Sequence, residues 1–201
     1  IGKYETGIEN APKTDGDENT APTETPVIKQ NAYPYSYVTC SQAQTLASNM
    51  ESGNHTSSLM FGVQWDLVLK YLETKGTAQA DLTTESTSWG NYINNAWNIT
   101  NVDSKYYKKP NWTSGAYGAK GGYAVVLLST GASEEFGKQG IYDLAGNVYE
   151  WTLEKTSNSG RPCAVRGGDY TCAGGRFPAA NRDYYGTAGY SGNFGFRVSL
   201  F

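Results

Sequence analysis

Residues 140–152 read GIYDLAGNVYEWT, the longest of three motifs in the last third of the chain. Two carboxylates, Asp143 and Glu150, stand on either side of a Gly-containing turn. Such a turn can direct its own carbonyl oxygens to one point, and oxygen ligands are those that Ca²⁺ prefers. The same carboxylates can instead accept hydrogen bonds from backbone N–H groups and pair with Arg166 or Arg197. In both interpretations the stretch supports the fold and is not a reaction centre.

Two shorter motifs follow in the chain: RGGDY at residues 166–170 and GFR at residues 195–197. Their glycines permit a close approach of two backbones, because glycine has no side chain in the way. Their arginines can form forked hydrogen bonds to a buried carboxylate or carbonyl group. We therefore expect both motifs at the starts of paired strands, as parts of the scaffold.

In this order and spacing, the three motifs resemble the signature of the formylglycine-generating-enzyme family. The resemblance implies an α+β, C-type-lectin-like fold in which two helices pack on short, mostly antiparallel strands with much irregular structure. It also implies a structural calcium, bound by the side chains of Asp143 and Glu150 and the carbonyl groups of Gly146 and Val148. Residues 1–201 are long enough for one domain with a real core, and we expect a single domain.

Composition and charge argue against nucleic-acid binding and membrane insertion. The chain has 24 Gly, 16 Tyr and only 17% charged residues, which is typical of a loop-rich domain with short strands. The net charge is −3, so we expect no nucleic-acid partner. No run approaches the ~20 apolar residues of a membrane helix, so we expect no membrane insertion. The chain begins at Ile1 without a signal-peptide pattern, and we expect a piece of a longer protein.

The three cysteines, Cys40, Cys163 and Cys172, are too few for a disulfide scaffold. Cys163 and Cys172 flank the Gly-Gly turn and can pair if the strands bring them together. Three unpaired thiols are the alternative, and the sequence does not decide between the two.

The N-terminal part divides into a short strand and a polar segment. Residues 1–6 predict a strand, and residues 7–26 predict a solvated, mobile insertion because they offer almost nothing to bury. Its acidic residues Asp15, Asp17 and Glu18 are a candidate cation site, but a solvated segment is the favoured interpretation.

Two helices follow. The first is predicted to begin at Thr39, which has a capping-box spacing to Gln42. The second is predicted over residues 62–73, with a buried stripe of Leu67, Val68, Tyr71 and Leu72. Residues 77–122 have no sustained period, and we expect at least two of Trp89, Trp97 and Trp112 in the core. Residues 123–129 predict a strand.

The chain lacks part of every residue set that would support catalysis in this family or in a histidine-based site. The enzyme of the resembled family holds copper with two cysteines at a C-x4-C spacing after the Gly-Gly turn. Cys172 stands at the first position, but the second is Phe177, and one thiol cannot supply a two-thiolate site or thiol–disulfide chemistry. His55 is the only histidine, so a Ser-His-Asp array and a several-histidine iron site are not expected. We expect no copper, no iron and no enzyme activity.

Residues 169–194 favour a binding surface. They are rich in Tyr, Gly, Asn, Ser and Thr, the composition of antibody binding loops, although a loop packed against its own domain is the alternative. The stretch resembles the variable region of diversity-generating-retroelement proteins, which implies a variable segment at about residues 163–201. The mutable codons of those proteins cannot encode Lys, Glu, Gln, Met or Trp, and none of these occurs in residues 169–194.

We therefore predict a non-enzymatic protein that displays a variable surface to a protein or glycan receptor, as in retroelement-diversified phage tail or bacterial surface proteins. The resemblance implies an extracellular, cell-surface or virion-tail location, and it allows an oligomer. The alternatives are a copper oxygenase acting through Cys172 and a structural module of a larger fibre. We expect Tyr184, Tyr185 and Tyr190 to contribute most to the binding energy. The predicted surface consists of Asp169, Tyr170, Thr171, Cys172, Asp183, Tyr184, Tyr185, Tyr190, Ser191 and Asn193.

Overall fold

A computed structural model describes residues 1–13, 22–51 and 53–201. Within these residues the chain forms three α-helices and sixteen short strands in six small sheets. The helices are α1 Cys40–Ser48, α2 Gly62–Thr74 and α3 Gln79–Thr83, with 3₁₀ turns at Thr87–Trp89 and Glu134–Phe136. The strands are β1 Gly7–Ile8, β2 Pro26–Val27, β3 Tyr33–Pro34, β4 Ser57–Leu59, β5 Trp97–Ile99, β6 Lys105–Lys108, β7 Asn111–Ser114, β8 Gly118–Lys120, β9 Leu127–Leu128, β10 Gly137–Lys138, β11 Ile141–Tyr142, β12 Tyr149–Lys155, β13 Cys163–Arg166, β14 Arg182–Tyr185, β15 Phe194–Phe196 and β16 Val198–Leu200.

The largest sheet has the strand order β14-β13-β12-β15. Strand β12 runs antiparallel to β13 and parallel to β15, with Glu150 opposite both Arg166 and Gly195. The three sequence motifs therefore meet on neighbouring strands. The prediction that the RGGDY and GFR motifs lie at the starts of paired strands is wrong, because Arg166 is the last residue of β13, Gly195 lies within β15, and each of these strands pairs with β12 rather than with the other. One face of this sheet carries Trp151, Val165 and Phe196 into a hydrophobic cluster that also contains α1 residues.

Helix α1 begins as the sequence predicts. Thr39 is its N-cap and forms the complete capping box with Gln42, so two otherwise unpaired backbone N–H groups are satisfied. Cys40, Ala43 and Ala47 are buried against the sheet.

Helix α2 also forms, but its predicted buried stripe is wrong in part. Leu67 and Tyr71 are 62% and 43% exposed, whereas Trp65, Leu69 and Leu72 are buried. The helix is turned so that the indole N–H of Trp65 donates to the carbonyl of Ala179 at 2.9 Å. Burying the large ring of Trp65 removes more apolar surface from water than burying Leu67 does, and its N–H keeps a hydrogen-bond partner. The helix therefore turns Trp65 rather than the predicted stripe toward the core.

The N-terminal segment differs from its prediction at both ends. Residues 1–6 are not a strand, although the N–H groups of Gly2 and Thr6 donate to the last strands of the chain. Strand β1 begins directly after the predicted strand, at Gly7, and pairs with both β2 and β3. The edges of the predicted insertion are thus part of a sheet. The acidic residues Asp15, Asp17 and Glu18 lie outside the described residues.

Trp89 and Trp97 are buried, which confirms the prediction that at least two of the three central tryptophans lie in the core. Trp112 instead packs its ring edge-on against Tyr33, with 4.9 Å between the ring centres. The predicted strand at residues 123–129 shortens to β9, since Tyr123 and Val125 are exposed. None of the helices in the described part of the chain has the length and apolarity to cross a membrane.

Candidate ligand-binding face

Arg197 ties the frame together beneath the candidate face. Its Nη2 lies 2.6 Å from a carboxylate oxygen of Glu150, and both groups are buried. It also donates to the carbonyl groups of Gly2 at 3.0 Å and Tyr142 at 2.8 Å. One guanidinium therefore joins the N-terminal segment, β11 and β12, and a pair satisfied on all sides is the arrangement in which burying two charges is tolerated.

Arg166 of β13, which stands opposite Glu150, plays the corresponding part toward α2. Its Nη2 lies 2.6 Å from Asp66 of α2, and its guanidinium lies over the ring of Trp65. Arg182 on the neighbouring strand binds Asp66 at 3.1 Å and Glu154 at 2.8 Å. Charged groups thus hold α2 against β13 and β14, and this face of the sheet is scaffold.

The carboxylates of the opening motif have the partners that the alternative interpretation predicts. Asp143 accepts a hydrogen bond from the backbone N–H of Gly131 at 2.6 Å, and both oxygens of Glu150 accept from Arg197. Gly146 donates its N–H to the carbonyl of Gly167 at 2.8 Å. A cation at the proposed calcium position would share Glu150 with the guanidinium of Arg197, and the calcium site stays a prediction. Among residues 1–13, 22–51 and 53–201, no group of three or more His, Cys, Asp or Glu is arranged to hold a metal ion.

Two further residues of this buried network were not singled out from the sequence. Asn147, at a left-handed φ of 59°, donates to Glu5 and to the carbonyl of Leu128. Glu5 is fully buried, and burial together with the charges of Asp143 and Glu150 raises its pKa well above the usual value. Burial likewise raises the pKa of Asp143 to about 7. Both shifts reflect the cost of keeping a carboxylate charged away from water.

Asp169 organises the loops of the candidate face from below. It was predicted as a surface residue, but it is buried. One of its oxygens accepts from the N–H and the hydroxyl of Thr171, both at 2.6 Å, and the other accepts from the side chain of Asn193 at 2.7 Å. Burial raises the pKa of Asp169, and these hydrogen bonds oppose the rise. The two loops that carry Thr171 and Asn193 are thus held together by one carboxylate.

A groove runs beside these loops. It consists of two adjoining cavities of about 440 Å³ and 280 Å³, which share five lining residues. The smaller cavity brings together four residues of the predicted surface: Tyr170, Thr171, Ser191 and Asn193. Sequence reasoning missed the opposite wall, which comes from distant parts of the chain. That wall contains Tyr37, Tyr107 and Lys109.

Strand β14 separates the predicted tyrosines. Tyr185 packs its ring against Phe194, with 4.6 Å between ring centres, and belongs to the edge of the hydrophobic core. Tyr184 points to the opposite face, since successive residues of a strand alternate. It is 38% exposed and lines a separate cavity with residues 154–158, which shares no lining residue with the groove. Asp183 accepts from the hydroxyl of Tyr185 at 3.4 Å, and Tyr190 is half-buried beside Ser191.

The thiol region is packed rather than open. The Sγ of Cys172 lies 3.8 Å from the hydroxyl of Tyr149, and Phe177 packs edge-on against the same ring. Burial, with a contribution from Asp169, raises the pKa of Cys172 to about 11. All three cysteines are free thiols, and Cys163 contacts Cys40 rather than Cys172. Gly168 has φ +76° and no room for a side chain, because an added Cβ lies 2.4 Å from the carbonyl oxygen of Phe177.

Comparisons with known proteins agree with the motifs. The family model described as the sulfatase-modifying factor enzyme 1-like domain matches residues 4–200. A search of curated proteins gave no match. Among solved structures, the chain is similar to Treponema denticola variable protein 1, with 16% sequence identity and a TM-score of 0.41. That alignment covers 75% of this chain and 49% of the other, so this chain spans about half the length of that protein. The family match and the mixture of few helices with many short strands confirm the predicted α+β fold of the formylglycine-generating-enzyme type.

Proposed function

This chain belongs to the family of sulfatase-modifying factor enzyme 1-like domains, and we propose that it is a non-enzymatic member that binds a receptor through the face around Asp169. The observation that carries the proposal is the pair of residues at the family's two thiol positions. Cys172 is packed against Tyr149 with a raised pKa, and Phe177 fills the second position. A reactive thiol needs a lowered pKa and access to solvent, and both are unfavourable here.

The same region is well suited to binding. Thr171 is exposed, and Tyr170, Ser191 and Asn193 are half-buried at the rim of the groove. The buried carboxylate of Asp169 fixes the loops, so little conformational entropy is lost when a partner binds. Tyr and small polar residues on a fixed frame are the arrangement of antibody binding sites. The partner is a protein or glycan receptor outside the cell, and the face includes Tyr190 but is separate from Tyr184.

The proposal is tested on an array of purified surface proteins and glycans, with the full chain as the probe. For the ligand found, the double variant Tyr170→Ala, Tyr190→Ala is expected to lower the affinity roughly 10- to 100-fold, since central tyrosines contribute about 1–2 kcal/mol each. Tyr123→Ala removes an exposed tyrosine outside the face and serves as the matched control. Unchanged affinity in the double variant, or an equal loss in the control, rejects this face.

The oxygenase alternative has its own assay. The chain is incubated with Cu(I), dioxygen and a cysteine-containing peptide, and the peptide is analysed by mass spectrometry. We expect no conversion above that of a Cys172→Ser control. Formation of a peptide aldehyde that depends on Cys172 overturns the non-enzymatic assignment.

A further inference from the structure

We infer that the groove beside Asp169 takes an acidic peptide segment of the receptor, an inference that rests on the proposed binding function. The groove has two adjoining lobes of about 440 Å³ and 280 Å³ that share Tyr37, Tyr107, Lys109, Tyr170 and Gly192. A space of this size accommodates a few side chains of an extended segment. The smaller lobe reaches Thr171 and Asn193, so the groove continues the proposed face.

The walls of the groove are aromatic and held in place. Trp112 of β7 packs against Tyr33 and Tyr107, with ring centres 4.9 Å and 5.7 Å apart. On the other side, the N–H of Tyr37 donates to the carbonyl of Ser191 at 3.1 Å. A Cβ added at Gly192 lies 2.7 Å from the hydroxyl of Tyr37, so this wall closes tightly on the loop. Rings fixed in this way offer apolar contact area at a low entropic cost.

The exposed charge among the described lining residues of the groove is that of Lys109, although the chain is acidic overall. Lys13 and Lys109 line the larger lobe, and none of the described lining residues is acidic in either lobe. Lys13 is buried, and its Nζ lies 4.0 Å from Glu24. Lys109 is exposed and makes no ion pair with a described residue. The exposed ammonium group of Lys109 favours a ligand that carries an anionic group.

The remaining lining favours a peptide over a sugar. Pro12, Pro110 and Leu127 add aliphatic surface to the rings of the larger lobe. Such surface desolvates an apolar side chain well, whereas each sugar hydroxyl buried there needs its own hydrogen-bond partner. The polar groups of Thr171 and Asn193 lie in the smaller lobe, where they can meet a peptide backbone. The segment that fits carries a large apolar side chain next to Asp or Glu.

The inference is tested by NMR titration of the ¹⁵N-labelled full chain with N-acetyl-Phe-Glu-amide, N-acetyl-Phe-Lys-amide and glucuronic acid. The reporters are the indole N–H of Trp112 and the side-chain amide of Asn193. We expect both reporters to shift with the Phe-Glu peptide and the Phe-Lys peptide to bind roughly tenfold more weakly. Lys109→Gln should weaken binding of Phe-Glu roughly two- to fivefold, the effect of an exposed charge pair. Lys108→Gln, an exposed neighbour that does not line the groove, is the matched control.

Several results overturn the inference. These are reporters that do not move with Phe-Glu, equal affinity for Phe-Lys, an equal loss in Lys108→Gln, and binding of glucuronic acid without binding of either peptide. A failure here is separable from a failure of the proposed function. If the Tyr170, Tyr190 double variant still loses its receptor while the peptides do not bind, the face stands and only the ligand chemistry of the groove is wrong.

Discussion

The substitution Asp143→Asn is expected to raise the free energy of unfolding at neutral pH. It is also expected to make that free energy depend less on pH. Asp143 is buried, and its Oδ2 accepts from the N–H of Gly131 at 2.6 Å. An asparagine oxygen can accept the same bond, and the left-handed φ of 60° is one that Asn adopts readily. The substitution therefore removes the charge while keeping the hydrogen bond and the backbone conformation.

The direction follows from proton linkage. Burial raises the pKa of Asp143 in the folded chain to about 7, against about 3.9 in the unfolded chain. The folded state therefore binds the proton more tightly, so the stabilisation from this group is complete below about pH 4 and is lost as the pH rises through about 7. Between about pH 5 and about pH 8, ionisation of Asp143 therefore lowers the free energy of unfolding of the native chain by about 2–3 kcal/mol. The raised pKa of Glu5 acts in the same direction and relaxes when the neighbouring charge is removed.

The assay is urea unfolding followed by tryptophan fluorescence at several pH values, in buffer that contains EDTA. The excess of the unfolding free energy of the Asp143→Asn variant over that of the native chain should grow by about 2–3 kcal/mol between about pH 5 and about pH 8, and the two chains should converge below about pH 4. Asp103→Asn, at an exposed site, should leave the profile unchanged. A variant with the native pH profile, or one that is less stable at alkaline pH, refutes the reasoning.

Four further predictions concern the frame and the thiols. Arg197→Met leaves Glu150 buried without its partner and should cost about 3–5 kcal/mol of unfolding free energy in urea, whereas a cost below about 1 kcal/mol contradicts the role of this pair. Asp169→Asn turns an amide toward the amide donor of Asn193 and should cost about 1–3 kcal/mol by the same measurement, and a neutral effect excludes the organising role. Because Arg197 uses both oxygens of Glu150, excess EDTA should shift the Tm by less than about 1 °C, and a large drop supports the calcium prediction instead. A thiol reagent should label the native chain only at half-buried Cys172, and slowly, while all three thiols react in denaturant; rapid labelling of all three in the native chain contradicts the burial of the other two.

Local features were readable from the sequence because the interactions that produce them span only a few residues. The capping box at Thr39 and the start of α2 at Gly62 are of this kind. The spacing of Cys172 and Phe177 is a fact of the chain, so the missing second thiol needed no structure. The motif order predicted that the motifs lie on strands of one frame, but not that both Arg166 and Gly195 pair with Glu150 on a strand between them.

Tertiary structure decided which side chains are exposed and which distant segments meet. Composition placed Asp169 on the surface with its neighbours, but the fold buries it and gives it Thr171 and Asn193 as partners. Tyr184 and Tyr185 are adjacent in sequence, yet the alternation of β14 sends one to solvent and the other to the core.

The groove is the clearest case of what the sequence by itself left open. Its walls join Tyr37, Lys109 and Asn193, which no local pattern connects. The sequence determined the family frame, the missing thiol and the chemistry available to the variable loops. Which of those side chains share a surface follows from the folded chain alone, because burial and proximity depend on how separate elements pack, and that packing is set by the whole core.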